Sequence, residues 1–241
     1  MRRLRAVLVL IVGVLPASTT KNKLLNALGH DVHKSAVIDP VVIFNVGRMQ
    51  VDSDARISIG NVFKNLRGAR VGSYTLIGPW NFIWANPKFR SSPEADPEHV
   101  GVFSIGKSCL ITRRHNLDAS GGIVISDWSG LAGRSITMMS HSYDPKRHVM
   151  ACAVTRMEES SFVASSCIMA VGATLPERSV LAMGAVLMPG ATAPHALYAG
   201  VPAKVVRPDI SDWVAFDYSE DGTRTRTPAH SLPNPRVLKN R

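Results

Sequence analysis

The sequence predicts an all-β protein built as a stack of short coils, and three observations predict it. From Val163, every sixth residue is apolar: Val163, Met169, Leu175, Leu181, Leu187 and Ala193. Four places after each come Cys167, Ala173, Ser179, Ala185, Ala191 and Leu197, of which five are small. The chain is also rich in glycine and proline, at 18 and 15 residues, while aromatics make up only 6%, which favours short strands and turns over helix bundles. A period of six fits neither the 3.6 of an amphipathic helix nor the alternation of a sandwich strand. One large inward residue per six means that each hexad makes one short strand and one corner, with small residues where the corners crowd. Stacked coils then bury a continuous aliphatic column.

The elements follow in order. "MRRLRAVLVLIVGVLPAS" is a basic head followed by an apolar run from Ala6 to Leu15, which is too short to span a bilayer as a helix. It has the head of a signal peptide without an A-x-A-like cleavage site. Two other readings stand level: a helix packed on the body, and a helix lying on an anionic membrane face. "STTKNKLLNALG" reads as a short helix, with Thr19 or Thr20 at its start, an apolar stripe of Leu24, Leu25 and Leu28, and Gly29 just past its end. The coils occupy residues 36–208, after an N-terminal segment 1–35. Their early part is ragged: Val71, Ile77 and Ile83 are six apart, Ile59-Gly60 and Ile105-Gly106 repeat a signature, and Ile125, Leu131 and Thr137 form a further run. Two excursions leave the rhythm. "NPKFRSSPEADPEHV", near 86–100, reads as an exposed loop, and about fourteen extra residues around "HSYDPKRHVMACAV" form another. Residues 209–241 are polar and read as an irregular tail on which Trp213, Phe216 and Tyr218 could dock.

Composition narrows the function. The 241 residues carry a net charge of +10. Half of that excess lies in residues 1–34, where six basic side chains face one acidic one. No dense basic stripe with interleaved aromatics follows, so nucleic acid is not an expected partner. Three cysteines, Cys109, Cys152 and Cys167, with no C-x-x-C, suggest neither a disulfide framework nor a zinc site and fit a reducing compartment.

The hexads together with "AGVPAKVVR" at 199–207 resemble the hexapeptide-repeat acyltransferases, and "ITRRHNLDASGGIVISDWSGLAGRSITMMSHSYD" is similar to members that acetylate polysaccharide and cell-envelope sugars. The resemblance implies a left-handed parallel β-helix; the handedness comes from it alone, since ordinary β-crossovers are right-handed. It implies an acetyl-coenzyme A-dependent O-acetyltransferase acting on a hydroxyl of a sugar or glycan precursor. It further implies a homotrimer with sites between subunits and no metal. His141, at the mouth of the second excursion, matches the family's catalytic histidine, a base suited to a hydroxyl proton near neutral pH. His115, Asp118 and Asp144 are candidates for the acceptor side; Asp118 is open between touching acceptor, orienting His141 and capping a turn. His115 is equally open to a structural place in a corner. Ser165, Met183, Met188, Lys204 and Arg207 match cofactor positions, with Lys204 and Arg207 suited to phosphate. Many relatives have a Thr-Lys pair where this chain has Met188-Pro189. That departure motivates an alternative, a non-catalytic β-helix scaffold with a degenerate coenzyme A site. A third reading, a γ-class carbonic anhydrase, would need His115, His141 and His148 as zinc ligands. Acetyl-coenzyme A is cytosolic, so the expected location is the cytoplasm, with peripheral association at the inner face of the membrane through the N-terminus.

Overall fold

The computed structural model describes residues 2–213. Two helices precede the coils: α1 (Arg2–Gly13) and α2 (Thr19–Ala27). The N-cap of α2 is Ser18 rather than either threonine, its side chain accepting the Lys21 N–H. The buried Lys21 ammonium donates to the carbonyls of Gly13, Leu15 and Asp39 at 2.7–2.8 Å and ties both helices to the first coil. Val9 and Val12 of α1 join the core, while Leu4, Val7, Leu8 and Ile11 stay exposed. The helix is therefore packed on the body and leaves an apolar stripe outside.

The rest is a left-handed parallel β-helix with three faces. Face A runs from Asp31–Val32 to Thr174–Leu175, and face C from Val42–Phe44 to Val186–Leu187. Face B runs from Val37–Ile38 to Leu197–Gly200 and ends with Ala203–Arg207 folded back antiparallel. The first strand begins at Asp31, ahead of the expected boundary at 36.

Each coil pairs only with its neighbours in register. Phe162 lies beside Val180, 18 residues on, so three hexads close one turn. Val163, Met169, Leu175, Leu181 and Leu187 are buried core residues, as are Cys167, Ala173, Ser179 and Ala185 at the corners. The sixth repeat departs from this. Face B in the last coil buries Tyr198, whose hydroxyl donates to Ala193 O at 2.7 Å, and leaves Ala193 and Leu197 only partly covered.

Early coils are longer. Arg56 pairs with Leu76, 20 residues on, because face A strands such as Arg48–Val51 and Gly68–Val71 have four residues instead of two. Ile57, not Ile59, is the core residue there; Ile59 is exposed in a corner. After Leu131 the register shifts by a bulge, so Met138 takes the buried position and Thr137 stands beside it, half-buried.

Both excursions leave from the edge between faces C and A. The first carries a short 3-10 turn, Pro87–Ser91. The second is a β-hairpin, His141–Asp144 against Val149–Cys152. Of the C-terminal segment, Ile210 is fully buried and Trp213 lies under the Arg207 guanidinium. Phe216 and Tyr218 lie outside the described residues.

Candidate functional site

His141 opens the hairpin at the C–A edge, one coil after Asp118. The imidazole Nδ1 lies 2.5 Å from Asp118 Oδ2. That same oxygen accepts the Ser140 N–H at 3.2 Å, and Oδ1 accepts the Ser120 N–H at 3.0 Å and the Ser120 hydroxyl at 2.5 Å. With three other donors aimed at it, the carboxylate acts as acceptor only, so Nδ1 carries the proton and donates. Nε2 is then the ring's free lone pair. The Asp118 side chain is 6% exposed and that of His141 20%, so the carboxylate is enclosed while the ring reaches the surface.

Local sequence builds this pair. Ser140 Oγ donates to Asp118 O at 2.5 Å and accepts the Gly121 N–H at 2.8 Å, joining the two coils at the point where the hairpin departs. Gly121 is required there, because a Cβ would stand 2.4 Å from Ser140 O. The first excursion supplies a wall: Asn86 N–H donates to Ser120 Oγ at 2.8 Å, and the Phe89 ring packs 4.7 Å from the His141 ring. Trp84 meets the imidazole edge-on at 5.9 Å, and its indole N–H donates to Asn116 Oδ1. These contacts fix the ring's plane and leave Nε2 as its one uncommitted polar atom.

His115 is built differently. It is 2% exposed; Nδ1 accepts the Ile136 N–H at 3.1 Å, and Nε2 bonds Thr112 Oγ1 at 2.9 Å. Burial pulls its pKa down to about 4. It continues a corner ladder in which Asn61 Oδ1 accepts the Asn81 N–H and Asn81 Oδ1 accepts the His115 N–H. Neither nitrogen of His115 is available to an acceptor or a metal. His148 bonds Tyr143 at the hairpin, and among the described residues no three His, Cys, Asp or Glu side chains converge as ligands. Asp144 Oδ1 accepts the Lys146 and Arg147 N–H groups and so closes the hairpin turn.

The cofactor candidates fall on two edges. Met188 and Lys204 line one cavity of about 410 Å³ at the end of the C–A edge, two coils beyond His141. At 4.7–4.9 Å per coil that is about 10 Å. Ser165 and Met183 stack in adjacent coils on the B–C edge, where Gly184 N–H donates to Ser165 O. Arg207 is turned to the chain that follows it, donating to Asp209 O at 3.0 Å and lying 3.5 Å from Asp212.

Sequence reasoning did not find Trp84, Phe89, Ser120 or Ser140. Only Ser140 carried a local signal, its place directly before His141.

The chain matches no protein-family model and no curated protein sequence. Its fold matches solved structures. AntD, an N-acyltransferase from Bacillus cereus, solved as a serine-to-alanine mutant with dTDP-4-amino-4,6-dideoxyglucose and coenzyme A, aligns at 11% identity and TM-score 0.57, over 81% of this chain and 91% of that one. An aspartate-to-alanine mutant of the same enzyme, with dTDP and coenzyme A, aligns at 13% identity and TM-score 0.53, over 69% and 84%. At these identities the likeness establishes the fold alone: the chain shares the β-helix of this N-acyltransferase.

Proposed function

We propose that the protein is an acetyl-coenzyme A-dependent O-acetyltransferase acting on a hydroxyl of a sugar or glycan precursor, with His141 as general base. The observation that carries this is the His141–Asp118 pair, with Nδ1 committed and Nε2 facing out at an opened edge. In the step, the acceptor oxygen attacks the thioester carbonyl as its proton passes to Nε2. The tetrahedral oxyanion collapses, the C–S bond breaks, and the imidazolium returns the proton to the thiolate of coenzyme A. Asp118 is a positioning residue here: it holds the tautomer and stabilises the transient imidazolium. The sugar nucleotide and coenzyme A bound by AntD support a sugar acceptor and this acyl donor; a hydroxyl nucleophile follows from the sequence resemblance.

A homotrimer fits the same reading. Met188 and Lys204 lie on one edge and Ser165 and Met183 on another, so a single cofactor touching both needs a neighbouring subunit. The outer side of face C carries Phe44 and Phe82, both exposed, with Phe82 stacked on Trp84 beside His141. Aromatic surface of this kind, next to the site, suits a subunit contact. The apolar outer stripe of α1 suits peripheral binding at the inner face of a membrane.

The test is release of coenzyme A thiol from acetyl-coenzyme A on adding candidate sugars, comparing wild type with His141→Ala. Unchanged turnover in the variant rejects the assignment. The alternative, a non-catalytic scaffold, is favoured by Met188 and Pro189, since Pro189 has no N–H to offer a ligand on that edge. It predicts no thermal shift with millimolar acetyl-coenzyme A.

A further inference from the structure

The N-terminal end of the β-helix gathers cations that acyl transfer does not use. Between the inner side of α1 and the C–A edge lies a cavity of about 220 Å³, lined by Arg5, Arg67 and Arg90 over a floor of Val9, Val46 and Leu66. The three arginines come from three separate stretches: α1, the corner after Val62–Lys64, and the first excursion. Backbone carbonyls hold each one. Arg5 donates to Leu28 O at 2.5 Å and Gly47 O at 3.0 Å, Arg90 to Asn65 O at 2.9 Å, and Arg67 to Glu98 O.

Carbonyls orient a guanidinium without neutralising it. No carboxylate lines the cavity, and among the described residues none of the three arginines forms an ion pair. Partial burial, and then the charge of Arg67, hold the pKa of Arg90 below its ordinary value. Gly101 lets the two approach. A Cβ there would stand 3.2 Å from Arg67 Cβ and 3.5 Å from Arg90 Nε. Arg67 also borders an adjoining cavity of about 450 Å³ that adds Arg70, Arg48, the latter paired with Asp31, and one carboxylate, Glu98. Fixed like charges in a cleft raise the local potential and draw an anion.

We infer that Arg5, Arg67 and Arg90 form a binding site for a phosphate group. Guanidinium forks match phosphate oxygens in pairs, and the charge of a phosphate monoester or diphosphate offsets two of the three cations. The closed apolar floor leaves only the open side for the ester substituent. Two sources share this chemistry: the headgroup of an anionic phospholipid, and a soluble phosphate ester.

The experiment uses the full chain and an Arg67→Gln/Arg90→Gln variant, both sites being exposed and outside the core. One arm titrates pyrophosphate and follows binding by calorimetry. The other measures co-flotation with phosphatidylcholine vesicles, with and without phosphatidic acid. Wild type is expected to bind at least one probe, and the variant to bind it roughly tenfold or more weakly, the effect of losing hydrogen bonds to a charged group. Loss in the pyrophosphate arm assigns a soluble ester; loss in the vesicle arm alone assigns a lipid. An Arg67→Lys/Arg90→Lys variant, which keeps charge but not the forks, should fall between. Equal binding by wild type and the glutamine variant in both arms, or no binding in either, overturns the assignment.

Discussion

His115 and His141 stand in consecutive coils on neighbouring edges, and the chain treats them in opposite ways. On the B–C edge the corners stack without interruption at this level, and His115 is one rung of a closed ladder with both nitrogens spent. On the C–A edge two insertions leave the coil, and the gap between them exposes one nitrogen of His141 while Asp118 holds the other. The same residue type thus serves as a structural bond in one place and leaves a ring nitrogen uncommitted in the other. What separates them is whether the corner is closed by the next coil or opened by an insertion.

The comparison can be broken most directly at His141. His141→Ala should lower acetyl transfer about 10²- to 10⁴-fold, the usual worth of a general base, with the melting temperature little changed. A large fall in stability would instead give His141 the structural task. Asp118→Asn should cost less, about 10- to 100-fold in kcat, as for a hydrogen bond to a charged group. Its pH–rate profile should move as well, since the tautomer is no longer enforced; a changed KM at constant kcat would place Asp118 on the acceptor. His115→Leu should leave the activity of the folded protein intact and cost about 1–3 kcal/mol in denaturant unfolding, because the Ile136 N–H loses its buried acceptor. His115→Asn should cost less than half as much, since Asn81 already fills the equivalent rung.

The last effect is on pH dependence. Burial lowers the folded pKa of His115 to about 4 from 6.5, and that of His30 likewise, with Arg5 adding to the latter. Between those values the unfolded chain takes up protons that the folded chain refuses. Stability is therefore full above about pH 6.5 and falls as the pH drops towards 4. In the asparagine variant that fall should be shallower by at most about 1.4 kcal/mol per pH unit, with His30 still contributing. An unchanged slope would mean that His115 is not held neutral.

The late coils were legible because each closes in 18 residues, so period six persists from Val163 to Leu187. The early ones were not, because each four-residue strand on face A pushes the count from Phe63 to Val71 to eight while its neighbours stay at six. A single bulge moved the buried residue from Thr137 to Met138, and one missing residue brought in Tyr198. At the site, the placement of His141 at a loop mouth was readable. The direction of Asp118 was not, since its partner lies 23 residues away and arrives only through coil stacking. Phe89 reaches the ring from an excursion whose path no period describes. The role of His115 does have a signal in the sequence: Asn61 and Asn81 are 20 apart, each four places after a core isoleucine, and His115 follows Ile111 by the same four.

The Lys21 clamp and the antiparallel return of Ala203–Arg207 sit at opposite ends of the same column. A column of identical steps has no intrinsic length: any coil left open presents hydrogen-bonding groups that another chain could continue. Here the first coil lies under α1, which an ammonium bonded to three carbonyls holds in place, and the last strand of face B is met by a strand running the wrong way to be extended in register. Each end therefore carries a block against continuing the stack in register, on the first coil by α1 and on the last by the return on face B, which disfavours extension of the repeat into a fibre.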